Sequence, residues 1–331
     1  MNTQTISFTL PWRRQTTSSN ALGWIALSVA ILAGSTSVTF ASALAGSLSP
    51  LSMLFISEAL TMLFTVLSFG LFPILKRITR LKKKNALPIL LVGLSNSVIA
   101  PLLAFTGLRM TGPINAELFI RAEDIFLVLL AVAFLGERLK KQHIVGAICV
   151  FFGVAIVTLR GFSESLVLSR GDGYILLAAA FYACGGILYK KKLHKVEPEL
   201  MIFCRTCVAL AVFFLSAPFM HHTLIEELQH FPTELIVALL GYGFLARFVN
   251  LFSFYESIER LPVRTVSLLL NLGLIGSIGF ASVYLNAAIL PYHIAGAGFI
   301  LIGSVLMEIE SLTGGKWHFA AHLKHKHRSH V

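Results

Sequence analysis

The charged residues best placed to do chemistry in this sequence lie within one apolar stretch, Pro113–Leu135, which carries Glu117, Arg121, Glu123 and Asp124. A helix turning 100° per residue puts Glu117, Arg121 and Asp124 on one face and turns Glu123 away. Each charge at membrane depth costs about 2.5–3.5 kcal/mol on insertion scales unless it pairs or faces water. Two interpretations follow: a structural ion-pair ladder inside a helix bundle, or a pathway for a polar substrate or a proton.

The overall composition is that of a polytopic membrane protein. Of 331 residues, 56% are hydrophobic and 13% are charged, and the mean hydropathy is +0.79. Soluble domains carry about a quarter charged residues. The net charge of +11 does not indicate a nucleic-acid partner, because the basic residues lie in short loops between apolar stretches. Membrane lipids are the expected surroundings, and no nucleic acid is expected.

Ten apolar stretches are long enough to be membrane spans. Their expected limits are Leu22–Ala43, Leu51–Leu71, Leu87–Leu108, Pro113–Leu135, His143–Leu159, Gly173–Leu193, Leu200–Met220, Leu235–Tyr255, Val263–Leu285 and Tyr292–Met307. With the N-terminus inside, twenty-one of the 27 Lys and Arg residues fall on the inner side, three fall outside and three lie within spans. This bias predicts that both termini are cytoplasmic, in a plasma or inner membrane.

An internal repeat organises the chain. At an offset of 150 residues, Gly107–Thr158 overlays Ser257–Glu308 without a gap, and nine of the 52 pairs are identical. The matches include the segment His143-Ile144-x-Gly146-Ala147 in the first copy and the same HIxGA pattern in the second. Five spans in each half is an odd number, so the halves must insert in opposite orientations, as in the inverted repeats of secondary transporters.

Residues Phe134–Val157, FLGERLKKQHIVGAICVFFGVAIV, resemble the signature of EamA-type carriers of the drug/metabolite transporter superfamily. The Leu48-Ser49-Pro50 turn and the two-repeat layout agree with this resemblance. It implies an all-α integral membrane fold of ten transmembrane helices, arranged as two inverted five-helix repeats around a central cavity, which moves small metabolites by alternating access. The sequence departs from the family pattern at the charged cluster Ile120–Asp124 and at Asn286-Ala287-Ala288, where the second half lacks the Gly-Glu-Arg turn.

These observations predict five regions along the chain. We expect a cytoplasmic N-terminal tail, a first repeat, a linker loop, a second repeat and a basic, His-rich cytoplasmic tail. Their predicted limits are residues 1–21, 22–159, 160–172, 173–310 and 311–331.

Polar residues in the other spans recur at equivalent positions of the two repeats. Arg121 corresponds to Asn271 at the offset of 150, and counting about 1.5 Å per residue places Asp124 and Arg247 near the midplane. The predicted partner of Arg247 is Glu123, Asp124, Glu58 or the substrate. The candidate substrate or coupling residues are therefore Glu58, Asn96, Glu117, Arg121, Glu123, Asp124, Arg247, Asn250 and Asn271.

The mixture of positive and negative side chains within the predicted spans favours a particular substrate class. Four acids and three arginines lie within spans, which suits a zwitterion such as an amino acid better than a strong anion. A carboxylate left without a partner is a candidate proton carrier, because burial disfavours its charged form. Glu117 is the expected structural partner of Arg121, and Asp124 is the expected coupling or substrate-contacting group.

Three classes of protein compete at this stage. A secondary carrier explains the repeat and the buried charges, whereas a non-transporting scaffold or receptor explains only an ion-pair ladder. An enzyme is not expected, since no HExxH or GxSxG motif is present. No cofactor or metal site is predicted, a small-molecule substrate is expected, and a homodimer is compatible with this plan. Gly146, Gly153, Gly296 and Gly303 are expected to be helix-packing positions.

Overall fold

A computed structural model describes residues 20–135, 141–159, 169–193, 196–216, 218, 224–261 and 263–307. The described residues form helices and connecting turns, with no strand among them. The Gly-Glu-Arg turn at 136–138, most of the predicted linker, residues 1–19 of the predicted N-terminal tail and the whole predicted C-terminal tail lie outside this part of the chain.

The described chain contains seventeen α-helical segments, which we number in order. They are α1 Asn20–Gly34, α2 Ser37–Ala45, α3 Pro50–Phe69, α4 Leu71–Ile78, α5 Ala86–Gly93, α6 Ala100–Leu108, α7 Pro113–Ile120, α8 Glu123–Leu135, α9 Lys141–Thr158, α10 Arg170–Leu188, α11 Pro198–Ser216, α12 Leu224–Gln229, α13 Ile236–Gly241, α14 Asn250–Arg260, α15 Val263–Leu270, α16 Gly273–Leu285 and α17 Pro291–Met307.

Among the described residues, seven continuous helical stretches are long and apolar enough to cross a membrane. They are Ala21–Ala45, Pro50–Phe69, Lys83–Leu108, Lys141–Thr158, Arg170–Leu193, Glu199–Ser216 and Thr233–Phe254. The helices α16 and α17 are apolar but shorter. The stretch Pro113–Leu135, predicted as one span, is divided into α7 and α8 by a turn at Arg121 and Ala122. The predicted span Val263–Leu285 is divided in the same way at Asn271 and Leu272.

Local sequence signals set several of these boundaries. Ser49 caps α3 by accepting a 3.3 Å hydrogen bond from the Ser52 backbone N–H, and Pro50 occupies the first turn, where its missing N–H costs nothing. Ser169 and Asp172 form a reciprocal capping box that starts α10. The caps fix where these helices begin, and so the depth of every side chain along them.

The helix boundaries of the two halves recur at the offset of 150 residues. The limits of α7 and α8 coincide after this shift with those of α15 and α16, and the 3₁₀ turn Lys83–Asn85 corresponds to Thr233–Leu235. A π-helical segment, Leu94–Ile99, corresponds to the end of a second one, Tyr242–Val249. The repeat seen weakly in residue identities is therefore much clearer in the backbone.

The two halves meet at a close crossing of α9 and α17. An ideal Cβ on Gly146 would lie 2.6 Å from the Gly303 carbonyl oxygen, and one on Gly153 would lie 2.7 Å from the Gly296 carbonyl oxygen. Only glycine lets the two backbones approach this closely. The pairs run in opposite register, since the earlier glycine of each helix meets the later glycine of the other.

Candidate functional site

The candidate site is a polar cavity of about 220 Å³ between α1, the α7–α8 turn, α14 and the α15–α16 turn. Glu117, Arg121 and Asn250 line it, together with Ser35 and Ser277. The cavity therefore joins three of the predicted site residues, from both halves of the chain, in one space.

Within this cavity, Glu117 and Arg121 form an ion pair. An Arg121 Nη2 hydrogen donates to Glu117 Oε1 at 3.0 Å, and the Glu117 residue is 6% exposed. This is the i, i+4 pairing expected from the sequence. The Ser277 hydroxyl also lies beside the Glu117 carboxylate. Arg121 Nε is buried without a hydrogen-bond partner, so the guanidinium retains a donor for another group.

The turn at Arg121 and Ala122 explains how charge is accommodated here. Arg121 is the C-terminal cap of α7, while Glu123 and Asp124 stand in the first turn of α8. A helix dipole stabilises cations at its C-terminal end and anions at its N-terminal end, by about 0.3–1 kcal/mol each. The interruption thus gives each sign of charge a favourable helix end, which a continuous helix could not do.

Asn271 occupies the position equivalent to Arg121 in the second half. It lies in the turn between α15 and α16, is 7% exposed, and has a side-chain Nδ2 without a hydrogen-bond partner. The helix α7 packs on α16. Both helix interruptions therefore carry a buried side chain with an unused N–H donor.

A second polar group joins α3 to the π-helical segment that precedes α14. Arg247 donates from Nη2 to Glu58 Oε1 at 3.0 Å and from Nε to Thr61 Oγ1 at 2.9 Å. The Thr206 hydroxyl donates to the other Glu58 oxygen at 3.0 Å. Glu58 is 1% exposed, and both of its oxygens are occupied. Of the partners predicted for Arg247, the structure places Glu58 in contact.

Asp124 belongs to a third group. Its Oδ2 accepts a 2.5 Å hydrogen bond from the hydroxyl of Ser304 on α17. Arg121 and Glu123 lie within electrostatic range of it, and Glu123 interacts with both. The predicted face that would combine Glu117, Arg121 and Asp124 is therefore divided, because Arg121 bonds Glu117 and Asp124 turns to α17.

Asn96 is separate from all three groups. It lies in the π-helical segment Leu94–Ile99 and packs directly against Gly185 of α10, where a Cβ would collide with its amide. Its Oδ1 is buried without a partner. The structure does not bring it to the cavity.

Sequence reasoning missed the hydroxyl residues of these groups, Ser35, Thr61, Thr206, Ser277 and Ser304. A signal existed for one of them: Ser57, Thr61 and Thr65 repeat every four residues on α3 and are all buried. The others come from single serines and threonines in apolar helices, which carry no recognisable pattern.

A family model describes the same chain. The EamA-like transporter family model matches twice, at residues 21–159 and 169–309. This chain belongs to the EamA-like transporter family. Together with its apolar helices, this makes it a multi-pass membrane protein in a lipid environment.

Individual relatives are more distant. The chain is 33% identical over 114 residues to an uncharacterized transporter of Methanothermobacter thermautotrophicus, a match covering 34% of this chain and 33% of that protein. It is 22% identical to the uncharacterized transporter YyaM of Bacillus subtilis, over 67% of this chain and 72% of that protein. It is 26% identical to a probable amino-acid metabolite efflux pump of Escherichia coli, over 41% of this chain and 47% of that protein.

The fold also resembles a solved structure. This chain superposes on one solved crystal structure with a TM-score of 0.59 and 17% sequence identity. The superposition covers 87% of this chain and 96% of the other. At this identity the likeness concerns the fold alone. The match to the archaeal transporter spans only a third of that protein, so the relatives' names do not assign a substrate to this EamA-like chain.

Proposed function

We propose that this EamA-like protein is a secondary transporter that moves a small polar metabolite by alternating access, and that the cavity around Glu117 and Arg121 is its substrate site. The observation that carries the proposal is the buried Glu117–Arg121 pair, which lines a polar cavity of about 220 Å³ together with Asn250. Arg121 also keeps a buried Nε without a hydrogen-bond partner among the described residues. A transporter needs such unused donors, because the substrate must supply the missing partner when it binds.

The proposed architecture is ten membrane spans in two inverted five-span repeats, with both termini cytoplasmic in a plasma or inner membrane. The recurrence of helix boundaries at 150 residues supports the repeat. The antiparallel register of the glycine contacts between α9 and α17 supports the inversion, because a two-fold axis exchanges equivalent helices in this way. The divided helices α7–α8 and α15–α16 supply the discontinuous spans often found at transporter sites.

A zwitterion, such as an amino acid, is the substrate class that suits this cavity. The Arg121 guanidinium is suited to a carboxylate, and the Glu117 carboxylate is suited to an ammonium group; both side chains line the cavity. Asn250 and the two serines add neutral hydrogen-bonding groups. The Escherichia coli relative is named a probable amino-acid metabolite efflux pump, which is consistent with this class.

Asp124 is the proposed coupling residue. Its carboxylate accepts a hydrogen bond from the neutral hydroxyl of Ser304 on another helix, and no cation among the described residues is hydrogen-bonded to it. A carboxylate held this way can gain and lose a proton without breaking an ion pair. Movement of α17 relative to α8 would change its environment during the transport cycle.

The test is counterflow of a panel of labelled amino acids and other small metabolites into proteoliposomes. The protein should exchange at least one zwitterion, and Arg121→Gln should reduce the exchange rate at least tenfold, because a neutral amide cannot replace the charged contact. Glu234→Gln, an exposed residue outside the cavity, is the matched control and should exchange normally.

Two results would contradict the proposal. Absence of exchange for every compound by well-folded protein would favour a scaffold or receptor with a structural ion-pair ladder. Normal exchange by a stable Arg121→Gln variant would move the substrate site away from this cavity.

A further inference from the structure

The short helix α4 turns away from α3 at one residue. Gly70 has a φ of 77°, a backbone conformation that favours glycine, and it both ends α3 and precedes Leu71. One side of α4 is held by the bundle, since Ile74 is 1% exposed and packs with Ile78 in a core cluster that includes Leu200. The helix is thus fixed in place although it does not continue the direction of a span.

Another side of α4 is apolar and exposed. Phe72 is 84% exposed, and Leu71 and Leu75 are 41% and 44% exposed. With 100° per residue, these three side chains fall within about 100° of one another and adjoin the buried Ile74 and the partly buried Ile78. An exposed apolar sector beside a membrane is expected to enter lipid.

Positive charge follows this apolar sector directly. Residues 76–84 contain six basic side chains, and residues 59–116 contain no acid. Arg77 is neutralised, because its Nη1 contacts Glu197 and Glu199 at 2.6 Å each. The other five are exposed and form what we call the basic patch: Lys76, Arg80, Lys82, Lys83 and Lys84.

The equivalent segment of the second half carries the opposite charge. The helix α12 contains Glu226 and Glu227, and residues 206–246 contain no Lys or Arg. In this fold, the segment between the second and third spans of each half therefore accepts either sign of charge. The positive-inside rule accounts for basic residues near the end of a span. It does not account for an amphipathic helix, α4, that packs on the bundle and follows a turn at Gly70. A negatively charged lipid surface accounts for both features of α4.

We propose that α4 and the basic patch form an interfacial docking surface for anionic phospholipid headgroups. Leu71, Phe72 and Leu75 enter the acyl region at the membrane boundary, and the basic patch contacts the phosphates above them. On the proposed topology this surface lies on the cytoplasmic side. It holds the inner ends of α3 and α5 at the level of the headgroups.

The experiment measures lipid contact at position 72. Phe72→Trp is made in a chain whose Trp12, Trp24 and Trp317 are replaced by Phe, and the protein is reconstituted into phosphatidylcholine vesicles. Quenching of the new indole is recorded as a brominated lipid replaces part of the phosphatidylcholine. Brominated phosphatidylglycerol is compared with brominated phosphatidylcholine at the same mole fraction.

Phosphatidylglycerol should quench at a lower mole fraction than phosphatidylcholine, and added salt should weaken this preference. Lys83→Gln with Lys84→Gln should reduce the preference by about fivefold for each lysine removed. Lys141→Gln with Lys192→Gln removes the same charge from other exposed positions and should leave it unchanged.

Equal quenching by the two lipids would overturn the anionic-lipid assignment, and absence of quenching by either would show that α4 lies outside the bilayer. An equal loss in the control pair would show a general effect of net charge and would also overturn the proposal. None of these results bears on substrate exchange, so the proposed transport function is tested separately.

Discussion

The two arginines within the polar groups differ in how completely their hydrogen-bonding capacity is used. Arg247 contacts Glu58 and Thr61, and Glu58 is completed by Thr206. Arg121 contacts Glu117 and lines the cavity, and its buried Nε has no hydrogen-bond partner among the described residues. Buried ion pairs with all partners present act as fixed contacts, whereas a free donor favours ligand binding. The pair Glu58–Arg247 is therefore better suited to join α3 to the π-helical segment before α14, and Arg121 is better suited to bind substrate.

Arg247→Ala should destabilise the protein strongly. It leaves the Glu58 carboxylate buried with one hydroxyl partner, and breaking a buried pair in this way costs about 3–5 kcal/mol. A second substitution, Glu58→Gln, removes the unpaired buried charge and should restore part of the lost stability. Thermal unfolding of the two variants in detergent measures both effects. If Arg247→Ala unfolds at the wild-type temperature but does not transport, Arg247 contacts the substrate instead.

Asp124→Asn should remove the pH dependence of transport while keeping the fold. The amide can still accept the hydrogen bond of Ser304, but it cannot release a proton. The exchange rate of the variant should then be constant over the pH range in which the wild-type rate changes. Glu234→Gln, which changes an exposed acid, should retain the wild-type profile. An unchanged profile for Asp124→Asn would assign coupling to another group.

At the scale of the helices, four of the nine candidate residues fall on irregular backbone. Arg121 and Asn271 lie at the two helix divisions, and Asn96 and Arg247 lie in the π-helical segments Leu94–Ile99 and Tyr242–Val249. Such interruptions are frequent at functional sites because they turn side chains and backbone groups towards a ligand. The helices α9 and α17 behave differently, since they are continuous and meet through glycines.

Gly303→Ala should destabilise the crossing of α9 and α17. Its Cβ would lie 2.5 Å from the Gly146 carbonyl oxygen, and such overpacking costs about 1–3 kcal/mol. Gly298→Ala on the same helix meets nothing within 4 Å and should be neutral or slightly stabilising. The unfolding temperatures of the two variants provide the comparison. Equal temperatures would mean that the helices separate easily at this crossing.

At the scale of the whole molecule, the orientation of the chain follows from its charge distribution. A cysteine introduced at Lys83 or Lys191, in a chain whose four native cysteines are replaced, should be shielded from an impermeant thiol reagent in intact cells. A cysteine at Glu226 should react, because the proposed topology places this residue outside. Permeabilised cells provide the control for reactivity. Labelling at Lys83 in intact cells would reverse the orientation.

The sequence alone was sufficient for the membrane class, the family and the pairing of Glu117 with Arg121. These depend on composition, on a contiguous motif and on an i, i+4 spacing, all of which are local along the chain. The seven span-length helices each overlap a stretch predicted from hydropathy, and each begins one to four residues before the predicted start. The proposed count of ten spans and their inversion rest on the same local signals, together with the repeat.

The tertiary structure decided which polar groups share a space. Residues more than 100 positions apart form the cavity, the Glu58–Arg247 pair and the Asp124–Ser304 contact, and no single-sequence pattern encodes such pairings. The division of Pro113–Leu135 was also missed, because its residues are apolar enough for one continuous helix. The cost of burying three charges of mixed sign is reduced by two helix ends, and that gain exists only once the surrounding helices enclose them.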